Sequence, residues 1–311
     1  MAANRHVFGP VPSRRLGRSL GLDLVPFKTC TYDCVYCQLG RTTNHTSLRR
    51  EYVPSGEVLQ ELENSLQLGP PPNYITLAGS GEPTLFRPLD TLLTGIKQIT
   101  AVPVLVLTNG SLLWDPQVRA ELAQADVIMP SLDAGTDELF QIINRPHADV
   151  TFERLVEGLV AFRQGFSGAY WLEIMLVAGL TDQPEAVAAL AAVARRIDPD
   201  RLYLNTAVRP PAETWVKPAS AAALEECAAA LGPKCEIIAD YSATTAGEEG
   251  AGSEAAIMAL LRRRPCRLVD LSDGLGMHRN EILKYLGHLL RTGQVSGRDV
   301  GGEQYYSVAS A

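Results

Sequence analysis

Residues 20–37 read LGLDLVPFKTCTYDCVYC, and this stretch joins an apolar strand to a loop with three cysteines. Residues 20–25 are continuously apolar apart from one aspartate, which is typical of a strand buried on both faces of a parallel sheet. In such sheets the reactive groups lie at the carboxyl ends of the strands. The stretch therefore predicts an α/β fold whose first strand leads directly into a cysteine site.

The rest of the chain up to about residue 241 repeats this alternation of strand and helix. Strands are predicted at 20–25, 74–78, 104–107, 127–129, 171–177 and 202–204, and helices at 56–68, 89–99, 116–124, 152–163 and 184–196. Six such steps favour a partial (β/α)6 TIM-like barrel. A further apolar run at 235–238 follows a helical pattern at 219–231 and would close or edge the sheet.

A second, smaller unit is predicted at the end of the chain. Residues 242–253 are small, polar and glycine-rich, which is typical of a linker between a domain at 1–241 and one at 254–311. In the last segment the pattern predicts one helix at 255–261, a second that begins at 268 and a third at 279–290. A hairpin is predicted at 294–308. This order resembles a winged helix-turn-helix.

Composition excludes several classes of protein. The chain has 311 residues, of which 46% are hydrophobic and 20% charged, so it can build a core and is not disordered as a whole. The amino-terminal residues lack the apolar region of a secretory signal, and the longest run of small apolar residues, 186–194, is too short to span a bilayer. We therefore expect a cytoplasmic protein that makes no membrane contact.

Charge is distributed unevenly along the chain, whose net charge is −7. The balance is +5 over residues 1–51, −14 over 52–253 and +2 over 254–311. An acidic central region argues against a general nucleic-acid-binding surface across the barrel. The basic amino-terminal stretch surrounds the cysteines, although a solvated basic segment explains it equally well.

The three cysteines of the loop, Cys30, Cys34 and Cys37, lie within eight residues and can surround one metal centre. Three thiolates saturate neither tetrahedral zinc nor a cubane of four irons, so one position stays open. The alternatives are a structural zinc site completed by a histidine such as His45, or three inert buried thiols. Outside this loop, the chain has three more cysteines, which we interpret as core residues or, alternatively, a second cluster: Cys227, Cys235 and Cys266.

Polar or glycine-rich groups follow five of the predicted strands, at 28–30, 79–83, 108–110, 131–133 and 205–206. Five such segments at one edge of the sheet indicate one site. The candidates at this edge are Gly79, Gly81, Glu82, Thr108, Asn109, Ser131 and Asp133. Their alternative role is to cap the helices that follow. Arginine side chains bind carboxylate or phosphate groups well. The candidate substrate-binding residues, called the substrate-side residues below, are Arg14, Arg15, Asn205 and Arg209.

The spacing Cys-x3-Cys-x-aromatic-Cys resembles the signature of the radical S-adenosylmethionine superfamily, and Gly79-Ser-Gly-Glu-Pro-Thr84 resembles its glycine-rich segment. The resemblance implies a 4Fe–4S cluster on the three cysteines. Its open iron would bind the methionyl amine and carboxylate of S-adenosylmethionine. One electron, from a donor such as flavodoxin or ferredoxin, would then release a 5′-deoxyadenosyl radical that abstracts hydrogen from a substrate. It also implies that Tyr36 flanks the adenine and that the glycine turn and the polar groups named above contact the cofactor.

Over roughly residues 7–240 the arrangement is most similar to the iron–sulfur oxidoreductases related to the wyosine-forming tRNA enzymes. Those enzymes have an additional amino-terminal cysteine set, whereas no cysteine precedes Cys30. Formation of the tRNA-guanine ring therefore does not carry over, and the substrate stays open among a modified nucleoside or RNA, a peptide and a protein.

The carboxy-terminal unit leaves a second hypothesis. Its third helix contains a set of side chains suited to a DNA groove: His278, Arg279, Asn280, Lys284 and His288. The alternative function is thus a metal-stabilised DNA-binding regulator. Within the enzyme hypothesis, residues 254–311 would contact either nucleic acid or a protein or peptide.

Overall fold

One β-sheet forms the centre of the fold. The fold is described from a computed structural model. The structure describes residues 6–13, 15–69, 71–208, 211–238, 248–261, 265–275, 277–300 and 303–309. Within these ranges the sheet has eight strands: Val7–Ser13 (β1), Gly17–Leu22 (β2), Tyr74–Leu77 (β5), Val104–Thr108 (β6), Val127–Pro130 (β7), Ala169–Leu176 (β8), Arg201–Thr206 (β9) and Cys235–Ile237 (β10). Their order across the sheet is β1-β2-β5-β6-β7-β8-β9-β10.

From β2 to β10 each strand pairs with its neighbour in parallel. This confirms the predicted α/β class with a parallel sheet like that of a partial barrel. The run at 235–238, which was predicted to close or edge the sheet, forms β10 and pairs with β9 at the edge. With the six strands predicted earlier along the chain, the parallel strands of the described residues number seven.

The first strand, β1, was not predicted from the sequence. It pairs with β2 in the antiparallel direction, with a register shift between Phe8 and Val11. The segment Val7–Ser13 contains one glycine and two prolines, and its pattern does not alternate as a strand pattern does. Proline is tolerated in strands mainly at the edge of a sheet, and β1 occupies such an edge.

Helices pack on the outer face of the sheet and begin where the sequence supplies caps. The side chains of Asp115, Thr151 and Ser220 accept hydrogen bonds from free backbone amides in the first turn of three of these helices. The helices are Ser55–Gln67 (α1), Leu89–Ile99 (α2), Pro116–Leu122 (α3), Asp137–Ile143 (α4), Phe152–Gly165 (α5), Pro184–Ile197 (α6) and Ala221–Leu231 (α7), and a 3₁₀ turn covers Pro83–Leu85. Helix α4 was not predicted, since its seven residues span only about two turns.

Alternate residues of the strands enter two different apolar clusters. Val104 and Ile128 belong to the large core beneath the helices, whereas Leu105 and Val127 belong to a smaller cluster on the opposite face. Trp171 and Tyr203 complete that inner face, where Leu16 also packs. Both faces of the sheet are therefore covered, which explains why the strands are almost uniformly apolar in the sequence.

The carboxy-terminal unit has its own core. Its elements are Glu248–Leu261 (α8), Cys266–Arg267 (β11), Leu268–Leu275 (α9), Arg279–Arg291 (α10), Val295–Val300 (β12) and Glu303–Val308 (β13). The strands form a sheet in the order β11-β13-β12. Ile257, Leu271, Ile282 and Leu286 are among the buried residues of this core.

The predicted order of three helices and a hairpin is thus present, with one additional short strand, β11. The predicted linker 242–253 differs, because residues 248–253 already belong to α8. Residues 239–247 lie outside the described part of the chain. None of the helices described is both long and apolar enough to cross a bilayer.

Candidate functional site

The cysteine loop follows β2 at the carboxyl edge of the sheet and is anchored on two sides. Two short strands, Thr29–Cys30 (β3) and Asn44–His45 (β4), pair in parallel and join the ends of the loop. On the other side the amide of Val35 donates to the carbonyl of Ile143 (2.9 Å) at the end of α4. The loop therefore has a defined backbone without using its cysteine side chains.

Charged side chains fix the outer part of the loop. The carboxylate of Glu213 pairs with Arg145 (2.6 Å) and Arg41 (2.8 Å), and its amide donates to the carbonyl of Val35 (3.0 Å). Glu213 follows β9 and lies four residues along the chain from Arg209, a predicted substrate-side candidate. Its contacts show that this residue braces the cysteine loop.

Among the described residues, each sulfur of the loop has a nitrogen donor directed at it. Lys28 Nζ lies 3.3 Å from Cys37 Sγ, Asn109 Nδ2 lies 3.6 Å from Cys30 Sγ, and Asn144 Nδ2 lies 3.5 Å from Cys34 Sγ. Neither Lys28 nor Asn144 was among the predicted metal, cofactor or substrate ligands. Lys28 is buried despite its charge and has a positive φ of 60°, a conformation that is unusual for lysine.

The three thiols lie close enough to influence one another. Burial, together with the negative charges of Glu82 and Cys37, raises the pKa of Cys30 to about 12. Burial also raises the pKa of Cys34 well above its ordinary value, with contributions from Asp133 and the other two cysteines. Three thiolates crowded together at this depth favour a bound cationic centre.

The donor set fits an iron–sulfur cubane better than a single ion. No three His, Cys, Asp or Glu side chains in the described ranges converge closely enough to hold one metal ion. The ring nitrogen Nε2 of His45 contacts the carbonyl of Thr31 at 3.0 Å, so this nitrogen is already engaged with the backbone. In a cubane each thiolate binds its own iron, so the three sulfurs need not meet at one point.

A buried hydroxyl gives independent support for a group at this place. Tyr32 lies between the first two cysteines, is 2% exposed, and its hydroxyl has no hydrogen-bond partner in the described residues. Burial raises the pKa of Tyr32 well above its ordinary value, and the charges of Cys34, Glu82, Asp133 and Cys30 contribute to this shift. Because buried polar groups are rarely unpaired, a group held by these cysteines would supply the missing acceptor.

The glycine turn after β5 packs directly on the backbone that enters the cysteine loop. A Cβ on Gly81 would lie 1.8 Å from the carbonyl oxygen of Thr29, and the amide of Glu82 donates to that oxygen at 3.1 Å. Gly79 has a φ of +140°, which only glycine adopts readily. The structure thus brings Gly81 against the backbone of Thr29, next to Cys30, whereas Gly79 packs on Asp23.

The carboxylate of Glu82 is already engaged within the protein. It accepts from the amide of Thr84 (3.0 Å), the hydroxyl of Thr108 (2.5 Å) and the amide of Asn109 (2.7 Å). Burial raises the pKa of this carboxyl, and the bonds from Thr108 and Thr84 oppose that effect. Glu82 therefore connects the glycine turn to the end of β6 and orients Thr108 and Asn109.

Asp133 has a corresponding role after β7. It accepts from the hydroxyl of Tyr36 (2.5 Å), from Asn144 Nδ2 (2.8 Å) and from the amide of Met175 (3.0 Å). Burial raises its pKa to about 6, against the effect of the bonds from Tyr36 and Asn144. Asp133 thereby orients Tyr36, whose ring packs against a small apolar cluster that includes Val177. Ser131 lies nearby at the end of β7.

Two of the predicted substrate-side residues meet through a third residue that the sequence analysis missed. Glu173, in the middle of β8, pairs with Arg15 (2.5 Å) and accepts from Asn205 Nδ2 (3.2 Å). Arg15 lies in the turn between β1 and β2, at the end of the sheet opposite the cysteine loop. These side chains form a polar floor inside the barrel. Arg14 and Arg209 lie outside the described residues.

The remaining cysteines belong to two different cores. Cys227 and Cys235 pack in or against the large core, whereas Cys266 is buried in the core of the carboxy-terminal unit. Burial raises the pKa of Cys227 to about 12. All six cysteines are free. The interpretation of these three as core residues agrees with their positions.

Comparison with known proteins identifies a family to which the chain is similar in sequence. Residues 24–191, more than half of the chain, match the Radical SAM superfamily. A UPF0026 protein from Helicobacter pylori is 31% identical over 303 residues, which cover 96% of each chain. A protein from Brachyspira hyodysenteriae described as GTPase Obg is 36% identical over 307 residues, which cover 98% of this chain and 45% of the relative. The chain thus spans about half the length of that relative.

Among solved structures, a radical SAM methyltransferase from Sphaerobacter thermophilus is similar in fold. Its TM-score is 0.53 at 16% identity, over 70% of this chain and 65% of that chain. At this identity the likeness concerns the arrangement of strands and helices alone.

Proposed function

The chain belongs to the Radical SAM superfamily, and from this premise we propose that it is an enzyme that cleaves S-adenosylmethionine reductively and starts hydrogen abstraction from a substrate. Its cofactors are a 4Fe–4S cluster and S-adenosylmethionine. The observation that supports the proposal most strongly is the set of Cys30, Cys34 and Cys37, each with a nitrogen donor at its sulfur, beside the glycine turn. The cluster, when bound, supplies the electron that breaks the sulfonium bond of S-adenosylmethionine.

Each part of the carboxyl edge has a role in this proposal. The three cysteines hold the cluster, and Lys28, Asn109 and Asn144 stabilise the negative charge on their sulfurs. Backbone groups of Gly79 and Gly81 receive the methionine part of the cofactor. Glu82 and Asp133 orient the groups around them.

The remaining polar groups of the edge would bind the other parts of the cofactor. Thr108, Asn109 and Ser131 offer short polar side chains for the ribose hydroxyls and the carboxylate. Tyr36, held by Asp133 and packed near Val177, is placed to flank the adenine.

The substrate would enter the barrel from the carboxyl edge, where the cofactor binds, and extend toward the polar floor. Arg15, Glu173 and Asn205 lie there on the inner face of the sheet, and Arg14 and Arg209 remain candidates from the sequence. A modified nucleoside or RNA, a peptide and a protein all remain substrate classes. Reduction requires a donor such as flavodoxin or ferredoxin. We place the enzyme in the cytoplasm, where a reducing environment keeps cluster cysteines as thiols.

We further propose that residues 254–311 form a winged helix, on the basis of the order of their helices and strands. The DNA-binding alternative finds no support in the contacts of its third helix. His278 pairs with Asp23 of the barrel (3.2 Å), and Arg279 lies over the ring of Phe27 (4.6 Å). Two of the side chains expected to read a groove thus face the barrel.

The proposal is tested with anaerobically reconstituted protein, dithionite and S-adenosylmethionine. We expect release of 5′-deoxyadenosine, because reductive cleavage of the cofactor is the first step and does not depend on knowing the substrate. An intact cofactor after reduction of an iron-loaded protein would reject the proposal.

Replacement of Glu82 by alanine is expected to weaken binding of S-adenosylmethionine by about tenfold or more, with iron content retained. The change removes the acceptor for Thr84, Thr108 and Asn109, so the polar groups of the edge lose their orientation. Equilibrium binding and iron analysis measure the two effects. Glu63→Ala, at an exposed position of α1, serves as the control. Unchanged affinity, or loss of iron, would contradict this role.

Replacement of Lys28 by methionine is expected to make the cluster harder to reduce, by a shift on the order of tens of millivolts to more negative potential. The ammonium group beside Cys37 Sγ stabilises the additional negative charge of the reduced cluster, and methionine retains the apolar stem. A redox titration followed by electron paramagnetic resonance measures the shift. Lys97→Met, which removes an ammonium paired with Asp126 on the surface, should leave the potential unchanged. Equal potentials in the two variants would refute the assignment.

A further inference from the structure

A buried carboxylate connects the glycine turn to the carboxy-terminal unit. Asp23 follows β2, is 6% exposed, and accepts from the backbone amide of Ser80 (2.9 Å) and from its hydroxyl. The backbone amide of Asp23 donates to the carbonyl of His6 at 2.7 Å. Ser80 lies between Gly79 and Gly81, so its two hydrogen bonds fix the glycine turn to Asp23.

The carboxylate of Asp23 has a second neighbour, His278, which belongs to the carboxy-terminal unit. His278 Nε2 lies 3.2 Å from Asp23 Oδ2, and both side chains are almost inaccessible to solvent. His278 is also the N-cap of α10, where its Nδ1 accepts from the amide of Asn280 at 3.2 Å. A ring nitrogen that accepts cannot hold a proton, so the proton of the neutral ring is on Nε2 and is donated to Asp23.

Further contacts hold the start of α10 against the barrel. The ring of Phe8 on β1 stacks on the imidazole of His278, with centroids 4.6 Å apart and planes at 12°. The carboxylate of Glu281 accepts from the amide of Gly9 at 3.1 Å. A Cβ on Gly21 would overlap the ring of Phe8, so glycine at this position of β2 leaves room for that ring. The imidazole is thus fixed on several sides.

The position of the glycine turn depends on this carboxylate. A Cβ on Gly79 would lie 2.7 Å from Asp23 Cγ, so the turn packs directly on it. On the other side, the carbonyl of Ser80 accepts from the amide of Lys28 at 2.6 Å. Ser80 is therefore held between Asp23 and the segment that leads into the cysteine loop, and a movement of Asp23 would move the turn.

We propose that His278 is a positioning residue for the cofactor site: it fixes Asp23, and through Asp23 it fixes the Gly79–Gly81 turn that receives S-adenosylmethionine. The carboxy-terminal unit is then part of the cofactor site rather than an independent appendage. The consequence for the cofactor rests on the proposed function, whereas the coupling of His278 to the turn does not.

The coupling is tested on the full chain without cofactor by hydrogen exchange. His278→Asn retains a side-chain oxygen that can cap α10, but asparagine is too short to reach Asp23. We expect exchange of the Ser80 amide to become about three to ten times faster, because its acceptor is no longer fixed. His288→Asn on the same helix, whose ring lies 4.0 Å from Glu254, is the matched control. Unchanged exchange, or the same increase in both variants, would overturn the coupling.

The consequence for the cofactor is tested on reconstituted protein. We expect His278→Asn to raise the dissociation constant of S-adenosylmethionine about three- to tenfold, with iron content and the cleavage rate at saturating cofactor equal to those of the control. A merely structural role would instead lower iron content or the saturating rate. Unchanged affinity despite faster exchange would overturn the link to the cofactor. If the wild-type protein does not bind S-adenosylmethionine, the proposed function is rejected, and the exchange experiment alone decides the coupling.

Discussion

Replacement of Gly81 by alanine is expected to destabilise the protein by about 2–4 kcal/mol and to reduce binding of S-adenosylmethionine at least about tenfold. The new Cβ would lie 1.8 Å from the carbonyl oxygen and 2.7 Å from the carbonyl carbon of Thr29. Both are backbone atoms next to Cys30, so the clash cannot be relieved by rotating a side chain. The turn or the start of the cysteine loop must move.

Thermal or denaturant unfolding and equilibrium binding measure these effects. Gly56→Ala is the matched control, because a Cβ at this position of α1 meets nothing within 4 Å. It should be neutral or stabilise the helix by up to about 1 kcal/mol. If both variants have the same free energy of unfolding and the same affinity for the cofactor, Gly81 does not pack against the cysteine loop.

Replacement of Cys34 by alanine is expected to abolish cluster assembly and to lower 5′-deoxyadenosine release by at least about a thousandfold. The two remaining thiols cannot hold a cubane that three protein ligands bind in the intact site. The barrel should stay folded, with a loss of no more than about 2 kcal/mol, because Cys34 is only half-buried and the loop backbone is anchored elsewhere.

Iron analysis, the visible absorption of the cluster and unfolding experiments separate these effects. Cys235→Ala, a half-buried cysteine on the edge strand β10, should retain iron and activity. Full cluster assembly in Cys34→Ala would exclude this cysteine as a ligand. Iron loss in both variants would instead indicate a global effect on folding.

The parallel sheet could be predicted because its physical cause is local. Strands buried on both faces must be apolar along their length, and residues 104–107 and 127–129 show this without reference to any other part of the chain. Strand β1 could not be predicted in the same way. Its prolines and glycine are acceptable only because it lies at an edge, and that position depends on its pairing with β2.

The ligands of the candidate site could be predicted, whereas their environment could not. Three cysteines within eight residues are a local signal. The donor to Cys34, however, is Asn144, which lies 110 residues away along the chain and reaches the loop through the end of α4. Glu82 was predicted to contact the cofactor, but its neighbours Thr108 and Asn109 show that its carboxylate is used within the protein.

The carboxy-terminal unit illustrates the same limit. The order of its helices and hairpin follows from local patterns. The orientation of α10 does not, since it depends on Phe8, Asp23 and Phe27 near the other end of the chain. The polar residues at the start of α10 therefore suggested a nucleic-acid contact, although in the folded protein they form the contact with the barrel.

Cys30, Cys34 and Cys37 are expected to hold a four-iron cluster with one iron open to S-adenosylmethionine, and every proposed role at the carboxyl edge depends on this. Iron analysis and electron paramagnetic resonance of the reduced protein, with and without S-adenosylmethionine, test it most directly. We expect about four irons per chain and a spectrum that changes when the cofactor is added. One metal ion per chain, or a cluster whose spectrum is the same with and without S-adenosylmethionine, would contradict the account.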